Sequence, residues 1–232
     1  MSVNTSIRNI AIAAVLALPT AALATPIVIV ELDDGGLSPD ILGGYTMTQF
    51  DQTAIPESGC VTSVASDDVD GQVDFQMQNG DPLCMSVKDS DQLDWWTGDH
   101  GNVFTTGVPW VELIMPTNTR AFSLFVGANM TGRGWIEGID GNNNTTRTDF
   151  GGNTGIAFGD GQTPGFGVYT PGSCSTITRI IIEPFEWGTG NFAINQDPCT
   201  TVPEPSSIWL FAIGLLGLGL SRRYRPGRLA KR

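Results

Sequence analysis

The sequence predicts an all-β protein: a single β-sandwich or jelly-roll-like domain, flanked by an N-terminal signal helix and a C-terminal single membrane helix. Three observations support this prediction. Short β-type runs recur through the middle of the chain, turn-forming glycine, aspartate and asparagine separate them, and an apolar segment lies near each end of the 232 residues. No amphipathic helical pattern competes with the strands.

Residues 1–24 have the order of a secretory signal peptide. Arg8 supplies a positive charge, an apolar run covers 10–18, and the small residues Ala22 and Ala24 suit signal peptidase. The apolar run is too short to cross a bilayer core of about 30 Å. We therefore expect cleavage after Ala24, with an uncleaved anchor or a buried helix as the alternative.

The other end of the chain also has three parts. Pro203, Glu204 and Pro205 come first, and their prolines prevent regular secondary structure. A membrane helix is predicted over 207–220, about 20 Å long and therefore short for a permanent anchor. The basic end, 221–232, is expected to stay cytoplasmic and to leave the domain outside.

This tail, residues 202–232, resembles the PEP-CTERM sorting signal. The matching features are the Pro-Glu-Pro sequence, a glycine-rich helix and an arginine cluster in that order, at Pro203-Glu204-Pro205, at Gly214, Gly217 and Gly219, and at Ser221-Arg222-Arg223. The resemblance implies recognition by an exosortase, a membrane-embedded cysteine-protease-like enzyme, in a Gram-negative bacterium that makes an exopolysaccharide matrix. An ordinary C-terminal anchor is the alternative.

Export would therefore involve signal peptidase, then an inner-membrane intermediate held by the C-terminal helix, then the exosortase. The expected destination is the cell surface or the extracellular matrix.

The domain between the two segments, residues 25–201, is strongly acidic. Its 23 acidic and five basic residues give a formal charge of −18. Nucleic acid is excluded as a partner because phosphate binding needs a basic surface. Solubility through self-repulsion accounts for such a charge, and recruitment of cations is the alternative.

All four cysteines lie in the exported domain, so two disulfides are expected. Three connectivities are possible, and proximity in the sequence favours Cys60 with Cys84 and Cys174 with Cys199. A zinc site is disfavoured, because the chain has no Cys-x-x-Cys pair and His100 is its single histidine.

Ten short strands are predicted in the domain: 26–31, 45–50, 73–78, 84–88, 108–115, 121–128, 134–139, 165–170, 175–183 and 191–195. In 121–128, apolar residues alternate with the period of a half-buried strand. The sequences Asn79-Gly80-Asp81 and Asp140-Gly141-Asn142 are typical turns.

Residues 100–199 resemble the β-sandwich of many PEP-CTERM proteins and, more loosely, carbohydrate-binding jelly rolls. The matching segments are 121–127, 177–180 and 192–195. Such domains often close with a Phe-x-Ile-Asp strand, and here Asn195 replaces the aspartate.

The domain has five tryptophans, and an aromatic ring can pack on the apolar face of a pyranose. The candidates for glycan binding are Trp95, Trp96 and Trp135; Trp110 and Trp187 are the other two. Core packing is the alternative for each tryptophan.

Acidic loops suggest weak calcium candidates, because oxygen ligands at alternating positions suit a hard cation. These candidates are Asp67, Asp68 and Asp70 in one loop and Asp140, Asn142 and Asn144 in another. Neither completes an EF-hand, and solvated loops are the alternative. No other cofactor is expected.

Catalysis has little support in the sequence. It has no Gly-x-Ser-x-Gly, no His-Glu-x-x-His and no phosphate loop, although Asp99 could orient His100 as a base. The predicted function is that of a non-enzymatic, exosortase-sorted surface or matrix protein that binds glycan or exopolysaccharide. An extracellular glycosidase-like enzyme with paired carboxylates is the alternative.

Overall fold

The structure is a computed structural model that describes residues 26–32, 37–51, 59–97, 101–128, 132–152, 154, 162–172, 174–183 and 187–198. The predicted signal helix, the cleavage residues Ala22 and Ala24 and the tail with Pro203, Glu204 and Pro205 lie outside these residues. Met1–Asp197 is one compact unit and Pro198–Arg232 a second. In the described ranges, no helix has the length and apolar character needed to span a membrane.

The described residues form sixteen strands and one short 3-10 helix at Ser90–Gln92. The strands are β1 (Val28–Leu32), β2 (Ile41–Leu42), β3 (Tyr45–Thr46), β4 (Thr48–Gln49), β5 (Cys60–Val61), β6 (Ser63–Ala65), β7 (Gln72–Gln76), β8 (Met85–Asp89), β9 (Asn102–Thr106), β10 (Val111–Ile114), β11 (Ala121–Ala128), β12 (Arg133–Asp140), β13 (Thr145–Gly151), β14 (Gly165–Tyr169), β15 (Ile177–Glu183) and β16 (Trp187–Asn195).

Two large sheets contain most of these strands. An eight-stranded sheet has the order β1-β14-β11-β16-β9-β8-β5, with β4 also paired to β16. A six-stranded sheet has the order β13-β12-β15-β10-β7-β6, and β2 with β3 forms a separate hairpin. The strands named in these pairings run antiparallel to their neighbours. The predicted all-β sandwich is confirmed, while the finer jelly-roll assignment stays a prediction.

The main core lies between the two sheets and is rich in aromatic rings. Phe104 and Phe192 of the eight-stranded sheet stack with centroids 5.6 Å apart. Phe75 of the six-stranded sheet meets Phe104 at 5.4 Å, and all three side chains are at most 1% exposed. Burial of large apolar side chains is the main stabilising term in such a fold.

The outer face of the eight-stranded sheet is also covered. All eight residues of β11 are buried, so the predicted half-buried strand is wrong. Residues of the β2–β3 region, Leu42 and Met47, cover one part of this face, and Trp95 and Trp96 cover another. Local alternation could not reveal these covers because they come from segments distant in sequence.

Glycines let these covers approach the sheet. A Cβ on Gly188 would lie 2.8 Å from Val103 Cγ1 and 3.0 Å from Trp95 Cη2. A Cβ on Gly127 would lie 3.0 Å from Trp96 Cε3. The indole rings therefore pack directly on backbone where any larger residue would hold them away.

The predicted disulfide between Cys60 and Cys84 is present, with Cα atoms 5.2 Å apart. It fixes β5 beside β8, where Cys60 pairs in register with Ser86. Cys174 is also disulfide-bonded. Its predicted partner, Cys199, lies outside the described residues.

We predict that Gly188→Ala lowers the free energy of unfolding by about 1 to 3 kcal/mol, because the new methyl group overpacks the contact with Val103 and Trp95. Gly107→Ala is the matched control, since its Cβ would meet nothing within 4 Å. Urea denaturation of both variants measures the difference. Equal stabilities for the two variants would contradict the close packing of Trp95.

Candidate ligand-binding site

The outer face of the six-stranded sheet carries a second group of aromatic and charged side chains. On β15, Ile180 and Ile182 point into the core, so Arg179, Ile181 and Glu183 point outward. Outward-facing apolar residues from two strands, β12 and β15, and the segment before β10 form one cluster: Trp110, Trp135, Ile139 and Ile181. This cluster and its charged neighbours are the candidate site.

Two tryptophans are at the centre of the site. The rings of Trp110 and Trp135 meet edge to face, with centroids 5.2 Å apart and planes at 81°. The guanidinium of Arg147 lies 4.2 Å from the Trp135 ring centroid, which leaves Trp135 9% exposed. Trp110 is half-buried and its indole N–H donates to Glu112 Oε1 at 3.4 Å. Trp135 therefore supports the more accessible Trp110.

Strand register places two carboxylates beside this pair. Trp135 pairs with Asp149 on one neighbouring strand and with Glu183 on the other. A cavity of about 560 Å³ opens here, and it is lined by Arg133, Gly134, Trp135, Arg147, Asp149, Phe150, Thr154 and Glu183. A second cavity of about 490 Å³ is lined by Met77, Gln78, Asn79, Val108, Pro109 and Trp110.

Most of the basic residues of the exported domain lie on this face, each near a carboxylate. Three of the five basic residues of the exported domain project from it: Arg133, Arg147 and Arg179. Arg147 pairs with Asp149 at 2.9 Å and Arg179 with Glu112 at 3.4 Å. In the part of the chain that the structure describes, Arg133 has no ion pair. Exposed ion pairs add little stability, so these charges contribute mainly hydrogen-bonding groups to the surface.

The predicted glycan-binding tryptophans do not come together. Trp135 belongs to the six-stranded sheet, whereas Trp95 and Trp96 pack on the outer face of the eight-stranded sheet, where Trp96 is 7% exposed. Trp187 lies in the core and donates to Val108 O at 3.2 Å. Trp110 was not among the glycan-binding candidates predicted from the sequence. Its position directly before the apolar strand β10 could have indicated that it lies on the sheet.

Asp140, one of the calcium candidates, instead ties together the turn between β12 and β13. Its carboxylate accepts hydrogen bonds from the backbone N–H of Asn142 and Asn144, the Asn144 side chain and the Ser175 hydroxyl, all at 2.8–2.9 Å. Burial opposes ionisation, but these hydrogen bonds outweigh it and hold the pKa of Asp140 below its ordinary value of 3.8.

The other calcium candidates lie at turns. Asp67, Asp68 and Asp70 are exposed, and the Asp70 N–H donates to Gln196 Oε1 at 3.0 Å. Within the described ranges, no three His, Cys, Asp or Glu side chains are grouped to hold a metal ion. Calcium binding stays a prediction, and His100 with Asp99 lies outside the described residues.

The tail matches a known family model. Residues 201–223 match the PEP-CTERM protein-sorting motif, which includes Pro203, Glu204 and Pro205. No curated protein matches the chain. The motif indicates an exported protein that an exosortase sorts, in agreement with the prediction from the tail sequence.

We predict that Asp140→Asn lowers the free energy of unfolding by about 1 to 3 kcal/mol at neutral pH, because buried donors lose a charged acceptor. Because the pKa of Asp140 is lowered by folding, its carboxylate stabilises the fold at pH values above the unfolded-state pKa. The stability difference between the parent and Asp140→Asn should therefore shrink as pH falls below about 4. Chemical denaturation against pH measures it, with the exposed Asp68→Asn as control. A stability difference between the parent and Asp140→Asn that grows in acid would contradict the assigned hydrogen bonds.

For the tail, replacing Pro203, Glu204 and Pro205 with alanines should leave export intact but trap the chain in the inner membrane. Alanine favours helix where proline forbids it, so the spacer would extend the membrane helix and lose its accessible form. Cell fractionation and mass spectrometry of the mature C-terminus give the result. Ser206→Ala with Ser207→Ala is the control, and unchanged processing of the triple variant would contradict the prediction.

Proposed function

We propose that the sandwich domain of this exosortase-sorted protein binds glycan of the exopolysaccharide matrix and does not cleave it. The observation that carries the proposal is the Trp110–Trp135 pair, which stands between two cavities on the outer face of the six-stranded sheet. Export to a polysaccharide-rich surface would bring the domain to such a ligand.

The chemistry of the site suits a sugar. A pyranose has an apolar face that packs on an aromatic ring, and hydroxyl groups that both donate and accept hydrogen bonds. Trp110 offers the ring, while Arg133 and Glu183 offer a donor and an acceptor in the larger cavity. Because Arg147 and Trp110 both contact the Trp135 ring, Trp135 loses little side-chain entropy when a ligand binds.

A hydrolytic function is the second candidate, and one observation favours it. Asp149 and Glu183 line the same cavity on strands that flank β12, about 10 Å apart at the backbone by the usual strand spacing. Inverting glycosidases use two carboxylates at about 6.5 to 9.5 Å. The general acid in such enzymes lies in an apolar environment, whereas Asp149 is 62% exposed and paired with Arg147. Binding therefore fits this site better than hydrolysis.

We predict that Trp110→Ala weakens binding to polysaccharide about tenfold or more, since aromatic anchors at binding sites typically contribute more than 1.4 kcal/mol. Ile41→Ala is the control: its side chain is 66% exposed on the β2–β3 hairpin over the opposite sheet. Affinity electrophoresis in gels that contain polysaccharide measures the effect, and circular dichroism checks the fold of both variants.

Two results would contradict the proposal. Equal retardation of the Trp110 and Ile41 variants would place binding elsewhere. Release of reducing sugar by the parent protein, abolished in Glu183→Gln, would establish the glycosidase instead.

A further inference from the structure

We infer that the site binds an internal stretch of an uncharged polysaccharide chain laid across the strands, and not a chain end, a single sugar or a polyanion. The inference rests on the proposed function and adds the class of ligand and its direction on the sheet. Three features of the outer face carry it: a row of aligned residues, two cavities along that row, and the balance of charge.

The row runs perpendicular to the strands. Asp149, Trp135 and Glu183 occupy paired positions on β13, β12 and β15. Trp110 directly precedes the pair Val111 with Ile182, so it continues the row beside Glu183. On β7, Gln76 pairs with Glu112, and Gln78, in the turn that follows β7, lines the smaller cavity together with Trp110. Four inter-strand steps of about 4.8 Å give a path of about 19 Å.

Both cavities open along this path. The larger cavity is on the Asp149 side, with Trp135 in its wall, and the smaller is on the Gln78 side, with Trp110 in its wall. The two tryptophans are in contact, so the cavities adjoin through the aromatic pair. A single sugar would occupy only one cavity. A chain of several units would fill both and pack on the aromatic pair between them.

Charge indicates which kind of chain fits. The exported domain carries a formal charge of −18, which repels a polyanion at long range. On the outer face itself, Arg147 and Arg179 are each paired with a carboxylate, and Glu183 balances Arg133 in the larger cavity. The site thus has no surplus positive charge for uronates or sulfates. Its donors and acceptors match the hydroxyl groups of a neutral sugar chain.

Binding of the full-length protein in detergent to a glycan panel tests this inference. The panel contains neutral glucan, mannan, galactan and xylan, the polyuronates alginate and polygalacturonate, and a size ladder from disaccharide to hexasaccharide of the best neutral binder. We expect a neutral polymer to bind best, and affinity to rise about tenfold or more between the disaccharide and the hexasaccharide as the second cavity fills.

Two variants, one at each end of the row, test the path: Glu183→Gln in the larger cavity and Gln78→Ala in the smaller. Both substitutions should weaken binding of the hexasaccharide, whereas the disaccharide, which fills one cavity, should be weakened by only one of them, and Ile41→Ala should change neither. A polyuronate as best ligand, or equal affinity along the ladder, would overturn this inference and leave glycan binding standing. No binding to any glycan would overturn the proposed function with it.

Discussion

The constraint on which the rest of the structure depends is the burial of the eight-stranded sheet on both faces. Its inner face packs on the six-stranded sheet through Phe104 and Phe192. Its outer face is sealed by the β2–β3 hairpin and by the Trp95–Trp96 segment. Hydrogen bonds fix both covers, from the Tyr45 hydroxyl to Thr170 O at 2.7 Å and from the Thr97 N–H to Thr163 Oγ1 at 2.9 Å. These covers leave Tyr45 and Trp95 partly exposed, whereas on the other sheet the partly exposed Trp110 lies beside two cavities.

The end of the sandwich is also firmly held. The Gln196 side chain donates to Asp70 O at 2.7 Å and to Thr117 O at 3.1 Å, so it joins β16 to two loops. The Asn195 amide donates to Thr46 O at 2.9 Å, a bond that an ionised aspartate at this position could not donate. In the sequence, six residues separate Gln196 from Pro203 of the sorting motif. The sorting motif and the candidate site thus belong to separate segments of the chain.

Sequence reasoning recovered the sandwich, the Cys60–Cys84 pair and strands such as β11 and β15, because strong apolar patterns and proximity determine them. It missed β13, an edge strand whose Thr145–Gly151 sequence is mostly polar. It missed β9 because Asn102–Thr106 has few apolar residues and lies next to a loop. The site was found only in part: Trp135 was a candidate, but which sheet face a tryptophan occupies depends on long-range pairing that no local period contains.

The central claim is that the ligand lies on the outer face of the six-stranded sheet and not on the opposite outer face, which other segments largely cover. Hydroxyl-radical footprinting of the full-length protein, with and without the best-binding polysaccharide, tests this claim most directly. The account predicts that Trp110 is oxidised in the free protein and protected by the ligand, and that Trp96 and Trp187 react slowly in both states because they are at most 7% exposed. Ligand protection confined to Trp95 and Trp96, with Trp110 unchanged, would contradict it.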